Sequence, residues 1–164
     1  MKNHIAAVAF VVAFLAAWGA SHTAVHPQAS SPQPGSSPSL RSRTVWAGVY
    51  TEEQAKRGAS IYSGVCSRCH GDKLKGSESV PALSGSDFAT DWEGQTLDDI
   101  FKKIRRSMPK YDPDRLNQQQ KVDVMAYILS FNKFPSGKAE LQPDTDLLRL
   151  ILFQSANPDS KKGN

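Results

Sequence analysis

The 164-residue sequence predicts an all-α fold, and three observations support that class. Apolar residues recur at helical spacing in three segments, each segment follows a residue that can cap a helix, and no segment has a strong strand pattern. The helical patterns fall between Trp46 and Phe153, a stretch of 108 residues that suffices for one modest hydrophobic core. We find no internal repeat of 20–50 residues, so a single domain is expected.

The first helix is predicted to begin after Thr51. Thr51 and Gln54 have the spacing of a capping box, in which each side chain bonds to the other residue's backbone amide. Small and apolar residues then share one face up to Cys66, where the helix is expected to end. The small side chains on this face would let another backbone approach closely. This face comprises Ala55, Gly58, Ala59, Tyr62 and Val65.

The second helix is predicted at residues 97–107, with Thr96 as its cap. Its apolar stripe has the i, i+3, i+4, i+7 spacing of one helix face. Four basic residues lie largely on the other faces, where we interpret them as a solvated surface, with a docking patch as the alternative. The stripe is Leu97, Ile100, Phe101 and Ile104, and the basic residues are Lys102, Lys103, Arg105 and Arg106.

The third helix is predicted at residues 118–131, with Asn117 as its cap and Gln120 three residues on. Its apolar stripe is broad, so much of this helix should be buried. Tyr127 is placed to meet Tyr62 and Gly58 of the first helix. A short fourth helix is expected within residues 144–153.

The chain before Trp46 is predicted to be a leader followed by a linker. Residues 1–21 combine a positive start with an unbroken apolar run of 14 residues from Ile5 to Trp18, as in a secretory signal peptide. An uncleaved membrane anchor is the alternative. Residues 22–45 form a Pro/Ser-rich flexible linker, and residues 154–164 form a polar tail. We therefore expect a periplasmic or otherwise exported protein, tethered to a membrane only if the leader is uncleaved.

The charge balance argues against a nucleic-acid partner. The net charge of the whole chain is +4, but three of its basic residues precede Trp46 without any acidic residue. From Trp46 onward 17 basic residues face 16 acidic ones. The domain itself is thus nearly neutral, and the basic pI of about 9.1 reflects mainly the leader and linker.

The string Cys66-Ser67-Arg68-Cys69-His70 has the form Cys-x-x-Cys-His, the attachment signal for c-type haem. Two thioethers would hold the porphyrin, and the adjacent His70 would bind the iron as the proximal ligand. Zinc is disfavoured because these are the only two cysteines and a structural zinc site needs four Cys or His ligands. A thioredoxin-like pair would need a preceding strand, and a disulfide between cysteines only three residues apart would stabilise the fold little. We therefore predict one covalent haem c with its iron.

The second axial ligand is predicted to be Met108. A residue before proline is pushed out of the helical region, and Pro109 follows Met108 at the end of the second helix. The chain there should turn extended and project the thioether from a loop. Met125 lies in the middle of the third helical stripe, where methionine usually fills the core. Met125, a lysine or an open coordination site remain the alternatives.

The order of these features resembles a class I cytochrome c. The residues that carry the resemblance are the haem motif with Gly71, then Pro81-Ala82-Leu83, then Met108-Pro109, then Ala126-Tyr127-Ile128-Leu129. The resemblance implies a fold of three main helices wrapped around one covalently attached haem. It also implies that the Pro81 carbonyl accepts the proton of His70 and that Leu83 lines the haem pocket.

The flanks of the domain resemble a narrower group, the exported cytochromes associated with pyrroloquinoline-quinone dehydrogenases. This resemblance rests on Trp46 to Tyr50, the segment 91–94 and the segment 134–137. It implies a partner and does not make this chain a dehydrogenase. With His70 and Met108 both bound, the iron would have no vacant position for substrate, so we expect an electron carrier rather than an enzyme, without catalytic residues. Its donor would be an exported dehydrogenase, which in that group is of the quinone-cofactor type, and its acceptor an oxidase or another cytochrome of a respiratory chain. The alternatives are a five-coordinate haem peroxidase or gas sensor, and a tethered electron-entry subunit of a larger oxidoreductase.

Overall fold

Helices make up most of the computed structural model, which describes residues 43–162. A π-helical turn at Tyr62–Cys66 joins the first two α-helices, and a parallel pair of two-residue strands, β1 and β2, is the only sheet in this part of the chain. The predicted all-α class is confirmed. The helices are α1 (Glu52–Ile61), α2 (Ser67–His70), α3 (Gly85–Trp92), α4 (Leu97–Ser107), α5 (Gln118–Phe131) and α6 (Thr145–Arg149), and the strands are β1 (Arg43–Thr44) and β2 (Ile151–Leu152).

Helices α4 and α5 begin and end where the sequence predicts. Local side chains fix the first turn of each helix. The Thr96 hydroxyl accepts from the Asp99 amide at 3.3 Å, and the Asp99 carboxylate accepts from the Thr96 amide at 3.0 Å. Asn117 and Gln120 form the same reciprocal pair at the start of α5. Each pair satisfies amides that would otherwise lack partners in the first turn.

The predicted capping box of α1 is only half correct. The Thr51 hydroxyl accepts from the Gln54 amide at 3.1 Å, so the cap itself is confirmed. The Gln54 side chain does not return to Thr51, because it is buried and bonds to Asp123 of α5 and to both backbone groups of Leu141. A tertiary contact has replaced the local one.

The core lies where α1 crosses α5. Gly58 stands directly against the backbone of Asp123, since a Cβ built on Gly58 would lie 1.9 Å from the Asp123 carbonyl oxygen. The predicted contact of Tyr62 with Tyr127 is confirmed, with ring centroids 5.2 Å apart. Phe88 of α3 and Phe153 continue the core beyond this crossing.

Contacts reach past both predicted bounds of the domain, 46 and 153. Strand β1 pairs with β2 in parallel, so the expected helix over 144–153 is restricted to Thr145–Arg149. Val45 is fully buried, and the Trp46 indole donates to the Gln154 carbonyl at 2.8 Å. The predicted leader and nearly all of the predicted linker lie outside the described residues. Within residues 43–162, no helix is long and apolar enough to span a membrane.

Candidate functional site

The two cysteines of the motif stand three residues apart on a helical stretch, which places them on one face. Cys66 ends the π-helical turn and is half-buried, whereas Cys69 lies in α2 and is exposed. Both thiols are free. Burial, with a smaller contribution from Cys69, raises the pKa of the Cys66 thiol to about 11. Two unpaired thiols one helical turn apart suit attachment to a single planar group.

The helix that carries the motif continues beyond the predicted end at Cys66. The Ser67 amide bonds to the Tyr62 carbonyl, five residues back, and this widened turn leads into α2. A π-turn inserts one residue into a helix and changes which face the following side chains occupy. Helix α2 ends after His70 because Gly71 has a φ of 72°, which favours glycine. Gly71 directly after His70 was the sequence signal for this end.

His70 is held in one orientation by Pro81. The imidazole is 7% exposed, and its Nδ1 lies 3.0 Å from the Pro81 carbonyl oxygen. A carbonyl can only accept, so Nδ1 carries the proton in this hydrogen bond and Nε2 keeps its lone pair. Within the described chain Nε2 makes no hydrogen bond. The structure therefore leaves one nitrogen of His70 free to bind a metal.

A tight loop after the motif returns Pro81 to His70. The Gly76 amide donates to the His70 carbonyl at 2.9 Å, and Ser77 and Val80 exchange two backbone hydrogen bonds. Gly76 has a φ of 62°, and a Cβ there would lie 2.1 Å from the Val80 carbonyl oxygen, so the turn requires glycine.

Leu83 is half-buried beside the core and is fixed by backbone bonds on both sides. Its amide donates to the carbonyl of buried Leu74 at 2.7 Å. Its carbonyl accepts from the Asn132 side chain at 2.9 Å, and the Asn132 oxygen accepts from the Gly85 amide. Sequence reasoning missed Asn132, because a polar residue just after α5 carries no signal of its partner across the fold.

Met108 and Met125 occupy different environments. Met108 ends α4 in the extended conformation predicted for a residue before proline, with φ −129° and ψ 136°, and it is half-buried. The Met108–Pro109 peptide bond is cis. Met125 is 1% exposed within the core. Of the two methionines in residues 43–162, only Met108 lies in a loop.

The donor set fits haem c. One imidazole nitrogen, one thioether on a half-buried loop and two free thiols on one helix face are the groups that bind such a haem. Within residues 43–162, no cluster of three or more His, Cys, Asp or Glu side chains is placed to hold a bare metal ion. The four ligands of a structural zinc site are thus not assembled in this part of the chain.

The basic run of α4 is not a uniform surface. The Lys102 ammonium pairs with the buried Asp98 carboxylate at 2.6 Å, and Arg105 stands over the Phe101 ring at 5.8 Å. Two other basic residues of α4 and one just after it are exposed and form no ion pair with a described residue. We call them the basic patch: Lys103, Arg106 and Lys110. Tyr111, 90% exposed, lies next to the patch with Lys110 over its ring.

Comparison with known proteins gives one family match and one similar solved structure. Residues 53–128 match the family model described as cytochrome c oxidase, cbb3-type, subunit III. This range contains the haem motif, Pro81, Leu83 and Met108. The crystal structure of the sulfane dehydrogenase SoxCD from Paracoccus pantotrophus is similar at 18% identity and a TM-score of 0.44, over 73% of this chain and 65% of that chain. No curated protein matches the sequence.

Proposed function

We propose that this chain is a class I c-type cytochrome with one covalently bound haem c, and that it carries single electrons between two redox partners. The observation that carries the proposal is the hydrogen bond from His70 to Pro81, inside the segment that matches a c-type cytochrome family. It leaves the imidazole with one free nitrogen in a fixed orientation. A nitrogen held in this way can bind a metal, and its place at the end of the Cys-x-x-Cys-His motif favours haem iron as that metal.

Each side chain of the site then has a defined task. Cys66 and Cys69 would attach the porphyrin through thioethers, and His70 would hold the iron through Nε2. Pro81 fixes the tautomer of His70, and Leu83 would form part of the apolar wall. Met108 would supply the second ligand to the iron. The haem iron supplies the chemistry, a change between ferrous and ferric states that moves one electron.

Met108 decides between an electron carrier and an enzyme. A methionine on the second axial position leaves none for substrate, whereas a free position would suit the peroxidase or gas-sensor alternative. The exposure of Met108 supports the first role, because a half-buried loop residue can reach a cofactor while the core residue Met125 is enclosed. A soft thioether ligand also favours the ferrous state and raises the reduction potential.

The proposed setting is the exported side of a membrane. The support is the leader-like run at residues 5–18, which lies outside the described structure, and the haem motif itself. The proposed donor is an exported dehydrogenase, and the proposed acceptor is a respiratory oxidase or another cytochrome.

The second candidate function is an electron-transfer subunit of a larger oxidoreductase. The description of the matching family as subunit III of an oxidase favours it. Purification from cells that produce the chain at its natural level distinguishes the two functions by the size at which the chain elutes. A free carrier elutes at the mass of one chain with one haem, whereas a subunit elutes with a stable partner.

A pair of methionine variants tests the proposed ligation. Met108→Ala should abolish the low-spin methionine–iron spectrum of the holoprotein and open the iron to carbon monoxide. Met125→Ala should retain that spectrum and lose about 2–5 kcal/mol of stability, because it empties a buried site. Optical and magnetic resonance spectra, with mass spectrometry for one covalent haem, provide the readout. Spectra that respond to Met125 and not to Met108 would refute the assignment.

A further inference from the structure

Lys121 is buried, although lysine is rarely found in that position. It is 3% exposed, in the first turn of α5, and no other lysine or arginine among residues 43–160 is buried. Its ammonium donates to two backbone carbonyls, that of Arg105 at 3.1 Å and that of Pro113 at 2.5 Å. A charge taken out of water is costly unless its donors are used, so this placement requires a structural reason.

The Arg105 carbonyl lies in the last turn of α4 and has no helical partner. In an α-helix a carbonyl accepts from the amide four residues later, and for Arg105 that residue is Pro109. Proline has no N–H, so the Arg105 carbonyl would lack a donor at this end of the helix. The Lys121 ammonium supplies that donor three residues before Met108.

The second acceptor, Pro113, lies where the chain returns from α4 toward α5. We call residues 108–112, between the two acceptors, the Met108 loop. Within the described chain, every other hydrogen bond of residues 107–115 joins groups no more than four residues apart. Lys121 supplies the hydrogen bonds that join this part of the chain to α5, one to Arg105 just before the segment and one to Pro113 within it.

We propose that Lys121 is a positioning residue for Met108. Its ammonium joins the end of α4 to the return of the Met108 loop and so fixes where the Met108 thioether stands. It acts through the backbone of Arg105 and Pro113. The proposal rests on the proposed function, since it takes Met108 as the second axial ligand.

The far end of the segment has a buried side chain of its own. Leu116, just ahead of α5, is 8% exposed. Loss of the ammonium should therefore loosen the Met108 loop without unfolding the domain. If Lys121 served stability alone, its loss would lower the stability of the whole protein. The Met108 loop and the iron ligation would then change no more than the rest of the protein.

The test compares three variants of the full-length holoprotein. Lys121→Leu removes the donor and keeps an apolar stem, Lys121→Arg keeps a cationic donor, and Val124→Ala is a matched control in the buried part of α5. The first measurement is hydrogen exchange of residues 107–116. The second is the pH at which the ferric methionine–iron absorbance band is lost.

In Lys121→Leu, exchange of residues 107–116 should rise roughly tenfold, because loss of a hydrogen bond from a charged donor shifts local opening by about that factor. The methionine–iron band should disappear at a lower pH than in the parent protein. Lys121→Arg should restore most of both properties, and Val124→Ala should change neither. If Lys121→Leu does not fold, Lys121→Met, which has a longer unbranched stem and also lacks a donor, takes its place.

If the variant that lacks the Lys121 donor matches Val124→Ala in both measurements, the positioning role is overturned and the proposed ligation still stands. A parent protein without the methionine–iron band overturns the proposed ligation and the positioning role together. The two failures are thus distinguishable in one set of samples.

Discussion

At the scale of single residues, Gly58 sets how closely α1 approaches α5. An added Cβ would lie 1.9 Å from the Asp123 carbonyl oxygen and 3.0 Å from the Tyr127 Cβ. The first neighbour is backbone in the middle of a helix, so it cannot turn away as a flexible side chain would. The close approach also places Gln54 of α1 and Tyr62 of the π-turn against α5. The position of the haem motif, which follows on the same helical stretch, therefore depends on the missing side chain.

Gly58→Ala should destabilise the holoprotein by about 1–3 kcal/mol or more, because overpacking at a backbone contact outweighs the better helix propensity of alanine. Gly64→Ala is the matched control in the π-turn, where an added Cβ meets nothing within 4 Å. It should be neutral or stabilise by up to about 1 kcal/mol. Denaturant unfolding followed by circular dichroism measures both. Equal effects of the two substitutions would contradict the close-approach argument.

At the scale of elements, a buried polar network joins α1, α5 and the segment before α6. The Asp123 carboxylate accepts from Gln54 at 3.1 Å, from Arg57 at 3.1 Å and from Gln119 at 2.9 Å. Arg57 also binds Glu140 with two hydrogen bonds. Burial opposes ionisation of Asp123, but the three donors together hold its pKa below the ordinary value.

This depressed pKa gives Asp123 a defined pH dependence. The stabilisation is present above the unfolded pKa of about 3.9 and is lost as the pH falls through the lower folded value. Asp123→Asn should cost about 1.5–3 kcal/mol at pH 7, because hydrogen bonds to a buried charge are lost. The difference between the variant and the parent protein should shrink as the pH falls below about 4.

Unfolding in guanidinium between pH 3 and 7 tests this prediction. Glu93 and Asp99 also have lowered pKa values, through bonds from Ser155 and Thr96, so only the difference between variant and parent isolates Asp123. Glu140→Gln is the control, since its half-exposed pair with Arg57 should contribute less than about 1 kcal/mol. A cost of Asp123→Asn that does not vary with pH would contradict the assigned ionisation.

The elements that sequence patterns predicted are those with local causes. Helices α4 and α5 carry their own caps and stripes, so residues 97–107 and 118–131 could be read from spacing alone. Cys66, Cys69 and His70 are likewise contiguous. The role of Gln54 and the buried ammonium of Lys121 depend on partners 8–87 residues away, and no local pattern specifies those partners. Helix α3 was missed because its eight residues hold only Phe88 in the core.

At the scale of the whole domain, the first and last described segments lock together. Strands β1 and β2 pair, the Tyr50 hydroxyl donates to the Phe134 carbonyl at 2.5 Å, and the Gly137 amide donates to the Tyr50 carbonyl. Gly137 lies so close to Gly48 that a Cβ would be 1.9 Å from the Gly48 carbonyl oxygen. The chain after α5 therefore packs against the first described residues and belongs to the fold.

The charge of the domain is nearly balanced, so any electrostatic guidance of partners must be local. The basic patch surrounds Met108 in sequence, with Arg106 two residues before it and Lys110 two residues after it. Lys102 contributes little to the field, because Asp98 and Asp99 neutralise it at 2.6 and 3.7 Å. If electrons enter or leave near Met108, the patch should attract anionic partners and repel cationic ones.

Small redox probes of opposite charge test the patch without a known partner. Oxidation of the ferrous protein by anionic ferricyanide should slow as salt rises, since the Debye length falls to about 8 Å at physiological ionic strength. Oxidation by a cationic cobalt complex should not slow. The double substitution Lys103→Gln and Arg106→Gln should reduce the ferricyanide rate a few-fold at low salt and flatten its salt dependence. Lys138→Gln, at an exposed lysine in the segment after α5, should leave both rates unchanged. Stopped-flow absorbance of the haem measures each rate, and a ferricyanide rate that ignores both salt and the double substitution would place electron exchange on another face of the domain.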